Sequence, residues 1–135
     1  MTTQTALRQL QQALFTTLSG DAELMSIATG VYDAVLEDIP FPYVTIGSPT
    51  TLNTTTRTSF IEEISVTIHT WSVSGGKRES YNLLNAIHSA IGKGLPIGGS
   101  FSLLAVSRPD LQVIDDVDPR IKHGLARFTI TIKNN

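Results

Sequence analysis

The sequence runs to 135 residues, with ten basic and twelve acidic side chains, a formal charge of −2 and only 16% charged residues. This length suits one domain, residues 1–135, built on a single core, and the near-balance of charge excludes the sequence-blind binding of nucleic acid that concentrated Lys and Arg supply. The absence of cysteine excludes disulfides, thiolate zinc sites, iron–sulfur clusters and cysteine nucleophiles.

Taken in chain order, Leu7, Leu10, Leu14 and Leu18 fall on one helical stripe flanked by Ala6 and Ala13, and Ser19-Gly20 stops that helix. Asp21 caps a second, short helix reaching about Ala28 and ended by Gly30. Val31-Tyr32-Asp33 reads as a short extended piece, and Pro40 and Pro42 bar a helix from the stretch that follows. Tyr43-Val44-Thr45-Ile46 is a compact strand closed by Gly47-Ser48-Pro49. Residues 60–73 form the clearest strand, with Ile64, Val66, Ile68 and Thr70 on one face and Ser65, Thr67, His69 and Trp71 on the other. At about 3.3 Å per residue this run spans roughly 40 Å. A strand that long in so small a domain is expected to be bent, bulged or shared with a neighbour.

Gly75-Gly76 breaks the strand, and a helix is expected from about Lys77 to Ile91. Its stripe is Leu84, Ile87, His88 and Ile91, with Tyr81 in register and Leu83 at the edge; Gly92 and Gly94 end it. Residues 101–107, 111–117 and 125–132 read as strands, the last alternating Phe128, Ile130 and Ile132 against Thr129 and Thr131. The expected fold is α+β: a two-layer sandwich of a mostly antiparallel, four-to-five-stranded sheet with two to three helices packed on one face. No apolar run approaches the roughly 20 residues of a membrane span. The first 18 residues lack the basic start and unbroken apolar stretch of a secretory signal, so a soluble chain made in the cytosol is expected.

Most motif-like features dissolve on inspection. Gly75-Gly76-Lys77 evokes a phosphate loop, but Trp71 stands where the first Gly belongs and Arg78 where Ser or Thr should bind magnesium. It is read as a turn, with Lys77 and Arg78 placed against the positive end of the helix dipole. There they await either an acidic partner or solvent. Asp115, Asp116 and Asp118 fail the calcium-loop spacing, since Ile121 and Arg127 occupy the places of the required Gly and Glu, and Asp118-Pro119 opens a polar hairpin instead. His69, His88 and His123 show no i, i+3 or i, i+4 spacing, so only assembly in space could bring them together on a metal. No Gly-x-Ser-x-Gly elbow is present, and the sequon Asn53-Thr54-Thr55 has no secretory signal to give it meaning. No catalytic, cofactor-binding or metal residue is assigned. The unusual stretch is 49–59, with seven Ser or Thr among eleven positions, Leu52 apolar and Arg57 charged. It is either slack or an arm that orders on a partner.

The run Pro42-Tyr43-Val44-Thr45-Ile46-Gly47, then Glu63-Ile64-Ser65-Val66-Thr67-Ile68-His69-Thr70-Trp71-Ser72, then Gly76 and a helix, resembles the tail completion proteins of long-tailed phages and gene transfer agents. The Leu-rich first helix, Asp21-Ala22, Val31-Tyr32-Asp33 and the closing His123-Gly124-Leu125-Ala126-Arg127-Phe128 fit the same order over nearly the whole chain. The resemblance implies a single tail-terminator-like domain and no enzyme. It implies a hexameric ring that caps the finished tail tube, stops its elongation and offers its other face for head-tail joining. Implied partners are further copies of itself, the tail tube protein and a head-tail connector or stopper, with DNA only in transit, no membrane and no cofactor. The implied place is the head-proximal end of a virion tail, assembled in the bacterial cytoplasm. Under this reading Thr50, Thr51, Leu52, Thr54, Arg57, Lys77, Arg78, Arg120, Lys122 and His123 are candidate interface residues. The overhang of strand 60–73 and an edge strand 125–132 are the candidate seams of a closed, heterologous ring. A monomeric virion adaptor and a small α+β enzyme with a deep polar pocket remain the alternatives.

Overall fold

Three helices and seven strands follow in the order α1 (Leu7–Ser19), α2 (Ala22–Met25), β1 (Val31–Tyr32), β2 (Tyr43–Ile46), β3 (Thr50–Asn53), β4 (Phe60–Ser72), α3 (Arg78–Gly92), β5 (Phe101–Val106), β6 (Asp110–Asp115) and β7 (Lys122–Asn134). They are seen in a computed structural model that describes residues 4–34, 38–53, 60–73 and 75–135. The long strand finds its match inside the chain. β4 and β7 are both 13 residues long and pair antiparallel without a slip, from Phe60↔Asn134 to Ser72↔Lys122.

Short strands flank this ribbon in tandem. On the far side of β4, β2 pairs from Tyr43↔Trp71 to Ile46↔Ile68, and β3 then pairs from Thr50↔Ser65 to Asn53↔Glu62. Gly47-Ser48-Pro49 therefore faces only Val66 and Thr67, which makes a bulge where Pro49 has no N–H for the ladder. The other flank repeats the device. β5 runs beside β7 with a register shift between Leu103 and Ala105, and β6 resumes after Ser107-Arg108-Pro109. β1 adds parallel to β2.

The sheet is thus larger than expected, seven strands against four to five, although each level across the ribbon is only four or five strands wide. The α+β class, the mostly antiparallel pairing and three helices agree with the sequence reading. Two expected seams are overturned. Strand 60–73 has no overhang, because β7 runs its full length, and residues 125–132 are not an edge, because β7 lies between β4 and the β5–β6 pair. Residues 50–53 are strand rather than loop. Thr54 and Arg57 lie outside the described residues.

Because Ile64 faces Ile130 and Ile68 faces Ala126, the even-numbered residues of both central strands share one face. α1 and α3 cover it, and Leu10, Leu14, Leu18, Leu83, Ile87 and Ile91 close one core with Ile64, Ile68, Ile130 and Ile132. α2 is shorter than expected: Asp21 Oδ2 accepts from Leu24 N at 2.9 Å, but Ile27 N and Ala28 N both turn in on Leu24 O and end the helix. The buried stripe of α3 centres on Leu83, Leu84 and Ile87, leaving Tyr81 56% exposed rather than in register.

Two polar details lock the layers. Glu62, buried on β4, accepts from Ala6 N at 2.8 Å and from Thr5 Oγ1 at 2.6 Å, placing a carboxylate at the positive end of α1. Gly124 sits opposite Thr70 beneath α3; a Cβ there would collide with Thr70 Oγ1, while the Leu84 methyls at 3.5 Å would be in ordinary contact. Glu62→Ala, which strands the buried Ala6 N–H and leaves the exposed Thr5 hydroxyl to water, is expected to destabilise by about 1–3 kcal/mol. Gly124→Ala is expected to cost about 1–3 kcal/mol through overpacking. Urea unfolding midpoints measure both; a change within error in either would show that the layers do not meet as described.

Candidate functional site

The sheet face turned away from the helices divides into two halves of different chemistry. Beside β3 it carries Ser65, Thr67, Thr129 and Thr131 together with Glu63 and Arg127, a polar surface produced by the alternation of the central strands. Beside β2 it carries rings. Tyr43 stacks near Trp71 at a centroid distance of 6.3 Å and meets Tyr32 edge-on at 6.3 Å and Phe41 at 5.2 Å. Trp71 lies flat on His123, 3.9 Å between centroids and 11° between planes, and its Nε1–H donates to Thr45 Oγ1 at 3.2 Å. His69 Nδ1 and His123 Nε2 are 2.7 Å apart, one donating to the other.

The structure thus brings together two of the three imidazoles that sequence spacing kept apart, and leaves His88 on α3. Sequence reasoning placed His123 among the interface residues but missed its partner. The available signal was that His69 and Trp71 share a strand face, while the pairing with a strand 54 residues away was hidden. Burial lowers both histidine pKa values. The Arg127 charge adds to the effect on His69; the His69 ring adds to it on His123, where Asp116 opposes it. Burial and the Asp116 charge raise the Tyr43 phenol.

The remaining candidates fall into two groups at opposite ends of the ribbon. Thr50, Thr51 and Leu52 line the free side of β3, with Leu52 63% exposed. Lys122 and His123 stand six to nine rungs away, about 20–30 Å along the strands, with Arg120 in the loop just before them. Arg120 is engaged inside its own loop, where its Nε and Nη2 donate to both oxygens of Asp118 at 2.6–3.2 Å, and this holds the Asp118 carboxyl down to about 2. Lys122 donates to Asp115 Oδ1 at 2.8 Å and to Pro119 O at 3.0 Å. The Lys122 hydrogen bond and charge, with a further contribution from Lys77, lower the Asp115 pKa. Lys77 therefore faces an acidic neighbour on the β6–β7 hairpin. Among the described residues neither Lys77 nor Arg78 forms an ion pair within 4 Å.

An open groove of about 560 Å³ lies between α3 and β6, lined by Tyr81, Leu84, Asn85, His88, Leu111, Gln112 and Val113. A second, of about 610 Å³, runs from Phe41 and Val73 to the 118–122 loop. Among the described residues no group of three or more His, Cys, Asp or Glu is placed to hold a metal ion.

Comparison with known proteins fixes the family. The model of the tail completion protein gp17 family matches residues 12–133, and the tail completion protein gp17 of Bacillus phage SPP1 is 31% identical over the full length of both chains. The chain belongs to the tail completion protein gp17 family. The solved structure of SPP1 gp17 superposes with a TM-score of 0.66 at 30% identity, covering 96% of this chain and 93% of that one. A chain of the native gene transfer agent particle superposes with a TM-score of 0.81 at 20% identity, covering 92% and 94%, and shares the fold.

In this member of the gp17 family the histidine pair makes stability depend on pH. The unfolded chain takes up protons near the ordinary histidine value of 6.5, whereas the folded pair resists them to lower pH. Stability is fully present above that value and is lost as pH falls through it towards the lowered folded values. The melting temperature is expected to fall between pH 7 and pH 5, and less steeply in the His69→Gln, His123→Gln double variant. Equal slopes would show that the pair is not held neutral.

Proposed function

We propose that this tail completion protein is the tail terminator: copies of the chain close into a hexameric ring on the finished tube, stop its growth and present a second face to the head connector. The observation that carries the reading is the family match across residues 12–133 with a full-length relative of the same description. The role is structural. Its partners are the tube protein and a connector or stopper, DNA crosses the lumen in transit, and the ring sits at the head-proximal end of the tail after assembly in the host cytoplasm.

The fold supports a closed ring in two ways. A heterologous ring needs two different patches on opposite sides of each subunit. One sheet with two unlike edges supplies them: β3 with Leu52 on one side, β5–β6 with Leu104, Leu111 and Ile114 exposed on the other. β6 carries no Lys and no Pro between Asp110 and Asp115, the residues that commonly blunt an open edge. We assign the seam to β3 of one copy against β5–β6 of the next. The two ends of the ribbon then face opposite ways along the ring axis, with the Phe60–Asn134 end at one face and the 115–124 hairpin with Lys77 and Arg78 at the other.

Disrupting the gene and imaging the particles by electron microscopy tests the reading. Tails of excessive and variable length without heads are expected; tails of normal length carrying heads overturn it. Leu111→Asp, at a side chain 48% exposed, is expected to abolish rings while leaving the circular dichroism of the monomer unchanged. Rings that persist would move the seam elsewhere.

A further inference from the structure

We propose that His69 and His123 form a binding site for a borderline transition-metal ion, Zn²⁺ being the physiological candidate, with the two imidazole nitrogens as protein ligands and water completing the shell. The proposal goes beyond the terminator reading and does not depend on it.

The two donors come from the two central strands and occupy diagonal positions on the uncovered face: Trp71 pairs with His123, and His69 with Leu125. The longest uninterrupted ladder in the sheet therefore fixes their backbones. Both rings are also positioned by neighbours. His123 lies flat on Trp71, which Thr45 orients through the indole N–H. The His69 ring occupies the space beside Gly47, where a Cβ would come within 2.9 Å of its Nε2. The convergent atoms are Nδ1 of His69 and Nε2 of His123, 2.7 Å apart.

A tetrahedral zinc ion with Zn–N bonds of about 2.0–2.1 Å holds two nitrogens roughly 3.3 Å apart. The pair thus needs to open by about 0.6 Å and to turn so that both lone pairs converge on the ion, while the shared hydrogen moves to the other nitrogen of the donor ring, which leaves each ring neutral with one N–H. Burial favours neutral rings, which are the form that ligates; Asp116 presents a negative charge to His123 and Arg127 a positive one to His69. Two imidazoles select Zn²⁺, Cu²⁺ or Ni²⁺ over the hard ions Mg²⁺ and Ca²⁺, which take oxygen ligands. With two protein ligands the ion is exchangeable and is not a requirement for folding.

The test uses the untagged full chain and zinc chloride. Calorimetric titration is expected to show one ion per chain, and nitrogen NMR of the imidazoles is expected to show His69 Nδ1 and His123 Nε2 shifting while His88 stays still. His69→Gln and His123→Gln should each weaken binding by at least about tenfold; His88→Gln and a titration with Mg²⁺ serve as controls. Absence of saturable binding, unmoved His69 and His123 resonances, or an equal loss in His88→Gln would overturn the proposal. The NMR readout on the unmutated protein holds even if a variant fails to fold.

Discussion

Everything in this structure hangs on the ladder between β4 and β7. Each of the two strands is the only neighbour that spans the whole of the other, so the four shorter strands beside them have no common support without it. The core residues of α1 and α3 rest on the face this pair presents. Its contacts join residues 60–72 to 122–134, which makes the fold topologically non-local and places it among chains expected to fold slowly.

The flanks explain how so long a pair is accommodated in a chain this short. Each outer strand is broken once at a proline, Pro49 on one side and Pro109 on the other, and gains a residue over its partner at the break. Bulges of this kind bend a strand and increase its twist. They also leave the two edges chemically unlike, since the residues after each break differ: hydroxyls and Leu52 on β3, acidic and aliphatic side chains on β6. An assembly that must be directional at every joint benefits from such asymmetry.

Much of this was legible in the amino-acid order because the period of the apolar residues reports local structure directly. The Leu7–Leu18 stripe and the alternation from Ile64 to Thr70 emerged with their faces correct, and Tyr43–Ile46 emerged as a strand with its bounds. Partnership was not legible. Nothing local says that residues 122–134 pair with 60–72, so β7 read as an edge and β4 as an overhang. Glu62 read as an ordinary strand position, because its role as acceptor for Ala6 N depends on a helix 56 residues earlier. The His69–His123 contact was hidden for the same reason. Tyr81 was misplaced by a rotation of the α3 stripe, since the helix packs through Leu83 and Ala86 towards a sheet whose position the periodicity does not encode. The family resemblance supplied the kind of protein, which pattern could not, because it matches order and spacing over nearly the whole chain.

The central place of the last strand also bears on damaged messages. A ribosome that stops anywhere before residue 122 releases a product whose β2–β3–β4 portion lacks the strand that completes its sheet and supports β5 and β6. Such a product lacks the partner of β5 and β6 and so cannot present that edge of the sheet. Premature termination then lowers the supply of complete chains.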